Sequence, residues 1–294
     1  MSVLGIDIGG TFIKFCGKEK NEIKTGKIST GNDINKVISE LEKIMKNFQP
    51  DVLGIGVAGL YDKKTGKLTH SPNIKFLEGL PLKRLLEERF NIPVIIENDA
   101  SAAAFGEYCY GAGKNSKILV CFTLGTGLGG GLVINGNLIS GVSGSAMEIG
   151  HTTIDIEGWH CHCGRKGCLE SYVSSYGLER MYFMLTDKKL SSTEIITLAN
   201  EGNTEAMKAI EEFSKYLSTG LMNVIHTFNP DVVVIGGGIP QHYPAVISLA
   251  VSSLKNKAFS LPFRDCQIKK AELGEFSGAF GAMALAERLV DESS

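Results

Sequence analysis

The chain has 294 residues, 43% of them hydrophobic and 21% charged, with a formal net charge of −2. Those proportions suit a globular enzyme of one large domain or two, and they exclude the basic stripe of a nucleic-acid binder. No stretch reaches the roughly 18 apolar residues of a membrane span and the start lacks a secretory pattern, so a cytoplasmic protein without a nucleic-acid or membrane partner is expected.

In chain order, Val3-Leu4-Gly5-Ile6-Asp7-Ile8 reads as a strand, Gly9-Gly10 as a turn, and residues 12–16 as a second strand. A third strand is expected near 22–28. Ile34, Val37, Ile38, Leu41, Ile44, Met45 and Phe48 recur at helical spacing, with Asp33 as candidate N-cap and Pro50 just past the end. Residues 52–57 read as a buried strand closed by Gly59. Val94-Ile95-Ile96 runs into Glu97-Asn98-Asp99, and a small-residue helix follows from Ser101.

The pattern then partly repeats. Residues 117–124 read as a strand, 125–131 as a glycine turn and 132–134 as a further strand, with Asn135-Gly136 as a hairpin signal. A long helix is expected over 205–228, and a buried strand over 232–235 ends on Gly236-Gly237-Gly238. Two halves that each open strand, glycine turn, strand, and later supply a helix and a buried strand, imply an α/β architecture with a ligand in the crevice between the halves.

The glycine turns suit phosphate. In Asp7-Ile8-Gly9-Gly10-Thr11 the glycines let backbone N–H groups approach phosphate oxygens, Thr11 adds a hydroxyl, and Asp7 can hold Mg²⁺. The plain alternative is a tight turn in which Asp7 bonds the backbone. Leu124-Gly125-Thr126-Gly127 offers the same chemistry again, and phosphoryl transfer needs clamps from two sides. Neither turn has the P-loop or dinucleotide-fold pattern. Gly236 to Gly238 can leave a flat surface for a purine, or simply turn a strand into a helix.

Asp99 has two readings, helix N-cap or general base for a hydroxyl nucleophile. Asn98 can bond sugar hydroxyls with its donors and its acceptor. Seven cysteines, an odd count, argue against a disulfide framework. Cys16, Cys109, Cys121 and Cys266 read as core residues. Cys161, Cys163 and Cys168 cluster, with His151 ten residues ahead of Cys161. Three thiolates and an imidazole make a closed, structural zinc site; Gly164 and Gly167 allow its sharp turns, and His160 and His162 compete with His151. Glu148 and Glu170 flank the cluster, as sugar acceptors or as solvated surface acids.

Taken together, Asp7-Ile8-Gly9-Gly10-Thr11, Ser71-Pro72-Asn73, Glu97-Asn98-Asp99, Leu124-Gly125-Thr126-Gly127, Glu148-Ile149-Gly150-His151, the run Cys161-His162-Cys163-Gly164-Arg165-Lys166-Gly167-Cys168-Leu169-Glu170 and Gly236-Gly237-Gly238 resemble the ROK family of repressors and sugar kinases, over essentially the whole chain. The resemblance implies the two-lobed, actin-like ATPase (ribonuclease H-like) fold, with mixed sheets and a central cleft. It implies a small lobe over 1–115, completed by a C-terminal helix at about 280–294, and a large lobe over 116–280 carrying the zinc segment 148–170.

The resemblance also assigns roles. Asp99 is the catalytic base. Gly59, Asn73, Asn98, Asp99, Glu148, His151 and Glu170 are the sugar set. Asp7, Gly9, Gly10, Thr11, Lys14, Gly125, Thr126, Gly127, Gly236, Gly237 and Gly238 are the nucleotide set, and His151, Cys161, Cys163 and Cys168 the zinc ligands. His151 would bind metal through one ring nitrogen and face the sugar with the other. One departure is visible: Met147 stands where the family has glycine. The implied function is an ATP- and Mg²⁺-dependent hexose kinase of glucokinase type, acting at O6, with a homodimer expected by analogy. N-acetylmannosamine, N-acetylglucosamine, fructose, mannose and allose are alternative acceptors. A sugar-responsive repressor would carry a helix-turn-helix ahead of Asp7, where no room is seen. A non-catalytic binding module on the same fold is the third reading.

Overall fold

The apolar run after Ser2 forms β1 (Val3–Ile8), which is buried on both faces as a central strand must be. β2 (Phe12–Glu19) returns antiparallel to it, and β3 (Glu22–Ser29) pairs with β2 as a largely exposed edge. α1 (Ile34–Phe48) follows, capped by the Asp33 side chain on Lys36 N and ended by Gln49 in a left-handed conformation (φ 44°) before Pro50. Next come β4 (Val52–Val57), the hairpin β5 (Leu60–Asp62) and β6 (Lys67–His70), α2 (Leu82–Phe90), β7 (Val94–Asn98) and α3 (Asp99–Tyr110). The first sheet runs β3-β2-β1-β4-β7, with β4 and β7 parallel to β1.

The second half contains β8 (Ile118–Leu124), β9 (Leu128–Ile134), β10 (Asn137–Leu138), α4 (Ser175–Thr186), α5 (Ser192–Asn200) and α6 (Thr204–Phe228). It continues with β11 (Val232–Gly236), α7 (Gly238–His242), α8 (Ala245–Leu254), α9 (Ser260–Asp265), β12 (Gln267–Lys270) and α10 (Ser277–Asp291). Its sheet runs β10-β9-β8-β11-β12, so the two sheets share one order, a hairpin on one side of the founding strand and two crossover strands on the other. Asn135 and Gly136 both take positive φ (48° and 81°), as a tight β9–β10 hairpin requires. Both sheets mix parallel and antiparallel pairs.

The computed structural model describes residues 2–19, 22–71, 73–255 and 257–291; Pro72 of the Ser-Pro-Asn motif lies outside them. Two compact units result, one of Met1–Lys114, Gly131–Met147 and Glu275–Ser294, the other of Asn115–Gly130 and Glu148–Gly274. Residues 131–147 therefore pack with the first unit, although the repeat places them with the second half. Glycine explains how α10 joins the first unit. A side-chain carbon on Gly54 of β4 would lie 1.8 Å from Ala282 O, so only a bare strand lets α10 lie this close.

Three sequence boundaries shift. β9 begins at Leu128, so Gly129 to Gly131 belong to the strand and not to the turn. Gly131 is needed there because a Cβ would meet Ala104 Cβ of α3 at 2.4 Å. α3 begins at Asp99, two residues early, and α6 at Thr204, where Asn203 caps Ala206 N. Among the described residues no helix is long and apolar enough to cross a membrane.

Candidate active site

In the first unit, Asp7 of β1, Gly56 of β4 and Glu97 of β7 lie side by side in register. Gly56 separates two acids. A Cβ on it would make ordinary contacts with Ala102 Cβ (3.4 Å), Asp99 Cα (3.7 Å) and Asp7 Oδ1 (3.8 Å), so Asp7 and the start of α3 both border this residue. Burial pushes the Asp7 carboxyl from 3.8 up to about 7, Asp99 adds to the rise, and Lys14 opposes it. Lys14 is the cross-strand partner of Asp7, with Nζ 4.0 Å from Oδ2. A carboxyl whose ionisation is disfavoured chiefly by burial, and further by a second acid, is suited to a cation, whose charge would restore the ionised form. Thr30 ties the turn down by donating to Gly9 O at 2.6 Å, and Gly9 N donates to Phe12 O. Gly10 and Thr11 are exposed.

The N-cap of α3 is Asn98, not Asp99: Asn98 Oδ1 accepts from Ser101 N at 3.0 Å. Asp99 is thus released from capping. Its Oδ1 accepts from Ala100 N (2.9 Å) and Asn98 Nδ2 (3.1 Å). Asn98 Nδ2 also donates to Gly59 O at 3.0 Å, joining two expected sugar residues. Both ends of the Asn98 amide thus have protein partners, and Oδ1 keeps a second lone pair. Asn73 is exposed beside the first glycine turn, where a Cβ on Gly10 would be 3.0 Å from Asn73 Cβ. Glu97, 3% exposed, accepts from Lys63 Nζ (2.6 Å), Ser140 Oγ (2.9 Å) and Asn98 N (3.0 Å). Lys63 and Ser140 carry no motif in the sequence; only the fold brings them to Glu97.

In the second unit, one ligand atom from each of His151, Cys161, Cys163 and Cys168 lies within 4.8 Å of the others. Cys161 Sγ is 3.7 Å from His151 Nδ1, and Cys163 Sγ is 3.6 Å from Cys168 Sγ. That donor set fits a four-coordinate metal of zinc type. Gly164 and Gly167 take φ 88° and 68°, and a Cβ on Gly167 would strike Asp155 O. His162 stacks on Tyr176 with centroids 4.1 Å apart, and His160 is exposed in a bridge to Lys166, which leaves His151 as the imidazole of the group. Trp159, Tyr172 and Tyr216 stack in sequence, at 4.6 and 4.2 Å, and anchor the segment on α6.

Glu148 is solvent-accessible but recessed. Desolvation raises its carboxyl, His151 opposes the rise and Glu170 adds to it. Glu170 is no solvated surface acid. Its Oε2 accepts from Leu128 N at 3.0 Å, and its Oε1 lies 3.3 Å from the Tyr176 hydroxyl and 3.7 Å from Cys161 Sγ. Gly125 O accepts from Ser175 N at 2.8 Å. Gly236 ends β11, and Gly237 (φ 97°) packs where a Cβ would lie 2.2 Å from Leu124 O, so the third glycine run borders the second turn. Met147 takes φ 66°, a conformation that costs a non-glycine residue about 1–2 kcal/mol. Cys16, Cys121 and Cys266 are buried and Cys109 half-buried, and none of them belongs to the cysteine–histidine group.

The profile of the ROK family matches residues 3–289. The xylose repressor of Bacillus subtilis is 36% identical over 79% of this chain and 60% of its own length, so the chain spans less than two thirds of that relative. The glucokinase of Halalkalibacterium halodurans is 33% identical over 95% of this chain and 92% of its own. The crystal structure of a ROK family glucokinase from Streptomyces griseus with glucose and AMPPNP superposes with a TM-score of 0.85 at 30% identity, covering 98% of this chain and 100% of that one. The shared architecture is the actin-like ATPase fold.

Proposed function

The chain belongs to the ROK family, and from that premise we propose that it is an ATP-dependent hexose kinase with glucose O6 as the acceptor. The observation that carries this reading is that Asp7 and Asp99 both border Gly56 and that the Asp99 charge acts on Asp7, while the capping of α3 falls to Asn98. Asp99 is the general base and takes the proton of the acceptor hydroxyl. Asp7 holds Mg²⁺, and Gly9, Gly10, Thr11, Gly125, Thr126 and Gly127 offer backbone and hydroxyl donors to the phosphates, with Lys14 balancing charge. Magnesium supplies neutralisation of the phosphate charge when bound. Gly236, Gly237 and Gly238 face the adenosine.

Glu148, His151 Nε2, Glu170, Asn73 and the second lone pair of Asn98 Oδ1 select the sugar through its hydroxyls. Zinc on His151, Cys161, Cys163 and Cys168 supplies a fixed backbone and no open coordination position. The protein acts in the cytoplasm, as a homodimer. A sugar-responsive regulator is the second reading, favoured by the repressor relative. A kinase of an N-acetylhexosamine is the variant favoured by a relative at 33% identity, the N-acetyl-D-glucosamine kinase of Histophilus somni.

The test is ADP release across a panel of hexoses and N-acetylhexosamines, with Asp99→Asn beside the parent. Turnover should drop about 10²–10⁴-fold in the variant while sugar affinity stays within about threefold. A parent that binds sugar without releasing ADP would point to the regulator, and an unimpaired variant would remove Asp99 as base.

A further inference from the structure

Glu170 bridges the metal segment and the second glycine turn. It sits in the single helical turn Leu169–Ser171, directly after the ligand Cys168. One carboxylate oxygen accepts from Leu128 N, where the turn becomes β9. The same oxygen fills the place of an absent side chain on Gly127, whose Cβ would stand 2.5 Å from it. The other oxygen lies within reach of Tyr176 OH (3.3 Å) and Cys161 Sγ (3.7 Å), and the Tyr176 hydroxyl is itself 3.7 Å from that sulfur. Ser175, beside Tyr176, holds the opposite side of the turn through Gly125 O. Residues 170–176 therefore grip the turn at both ends.

We propose that Glu170 and Tyr176 form a strut through which metal occupancy of the cysteine segment sets the affinity of the second glycine turn for a nucleotide's phosphates. The proposal rests on the reading of residues 125–127 as a phosphate loop. Metal on Cys168 would fix the chain two residues ahead of Glu170, and metal on Cys161 would fix the sulfur that Glu170 and Tyr176 approach. Fixed there, Glu170 holds Leu128 N and the turn in one arrangement, so the cost of ordering the turn is met before the phosphates arrive. With metal bound, Cys161 is a thiolate and only the Tyr176 hydroxyl can donate to this Glu170 oxygen; without metal the chain that carries Glu170 is no longer fixed, and the turn must be ordered by the nucleotide itself. Tyr176 is a positioning residue in this scheme, and its ring stays packed on His162 whatever its hydroxyl does. Because the coupling is a free energy between two sites, it is reciprocal: the nucleotide tightens the metal by the factor that the metal tightens the nucleotide.

The experiment titrates MgADP, without sugar, into the zinc-loaded protein, the same protein after chelation, and after zinc is returned. Chelation should weaken MgADP binding about tenfold, the scale of one hydrogen bond to a charged group, and zinc should restore it. Tyr176→Phe should weaken it about threefold and shrink the chelation factor. Glu170→Ala should bind MgADP about as the chelated parent does, with no further loss on chelation. In the parent, saturating MgADP should lower the zinc dissociation constant, read by competition with a chromogenic chelator, by the same factor. An equal chelation factor in the parent, Glu170→Ala and Tyr176→Phe would overturn the strut, since the metal would then act by general loosening. So would a parent whose MgADP affinity ignores the metal. A zinc-loaded parent that binds no MgADP would instead overturn the phosphate-loop reading on which the strut depends.

Discussion

The turn between β1 and β2 and the turn between β8 and β9 occupy the same place in two sheets of the same order, yet their charged groups have different origins. The first carries its own ionisable pair, Asp7 and Lys14, on the two strands that form it. The second has Thr123 where the first has Asp7, and no ionisable residue from 123 to 127. Its carboxylate arrives from Glu170, 42 residues away from the Leu128 N that it binds. A local charge pair follows from strand pairing alone; an imported carboxylate needs the metal segment folded against the turn. The comparison teaches that a repeated strand-turn-strand unit fixes where backbone donors point but not what surrounds them.

The sharpest way to break this asymmetry is to remove the acid from one turn and its counterpart from the other. On the proposed function, Asp7→Ala should lower kcat/KM for ATP by more than about 100-fold, because the carboxylate proposed to hold Mg²⁺ at the phosphates is lost. Thr123→Val, at the matching position, should change it by less than about threefold. Similar losses in steady-state assays of both variants would mean that the two turns are charged alike after all.

A second measurement sharpens the first turn in the nucleotide-free protein. Asp7 ionises near 7 when folded against 3.8 ordinarily. Between those values the folded state holds the proton that the unfolded chain has lost, so stability falls as pH rises from about 4 to about 7 and is flat above. The span is on the order of 4 kcal/mol, from about 1.4 kcal/mol per pKa unit. Asp7→Asn should flatten that slope in denaturant titrations at pH 4, 5.5 and 7.5. A slope that survives the substitution would place the titration on another group.

The smallest effect is expected in the second turn. Gly127→Ala pushes a methyl into the Glu170 carboxylate, and losing its bond to Leu128 N should cost about 1–2 kcal/mol in thermal or urea unfolding. A fully stable Gly127→Ala protein would show that the imported carboxylate can retreat freely, which would weaken the contrast between the turns.

Much of the site was legible because its donors are close in sequence. Cys161, Cys163 and Cys168 announce a metal group by spacing, and the turns at Gly164 and Gly167 adopt the left-handed conformations that the spacing demands. The Asp99 ambiguity was not legible. Cap and base are both roles for an acid at a strand end, and only the Asn98 Oδ1 bond to Ser101 N decides that the neighbouring residue caps. Lys63 and Ser140 on Glu97 were invisible for another reason: their partner is 34 and 43 residues away, and a lone lysine or serine carries no pattern.

By itself, the sequence determined the periodic elements, the repeated strand-turn-strand plan and the cluster of three cysteines, because each depends on spacing along a few turns of chain. Tertiary structure alone decided which unit residues 131–147 join, where β9 begins, which residue caps α3 and which oxygen Glu170 gives to the second glycine turn. Those outcomes depend on close approaches between distant segments, where a missing Cβ or a buried donor selects the partner, and such approaches leave no period in the chain.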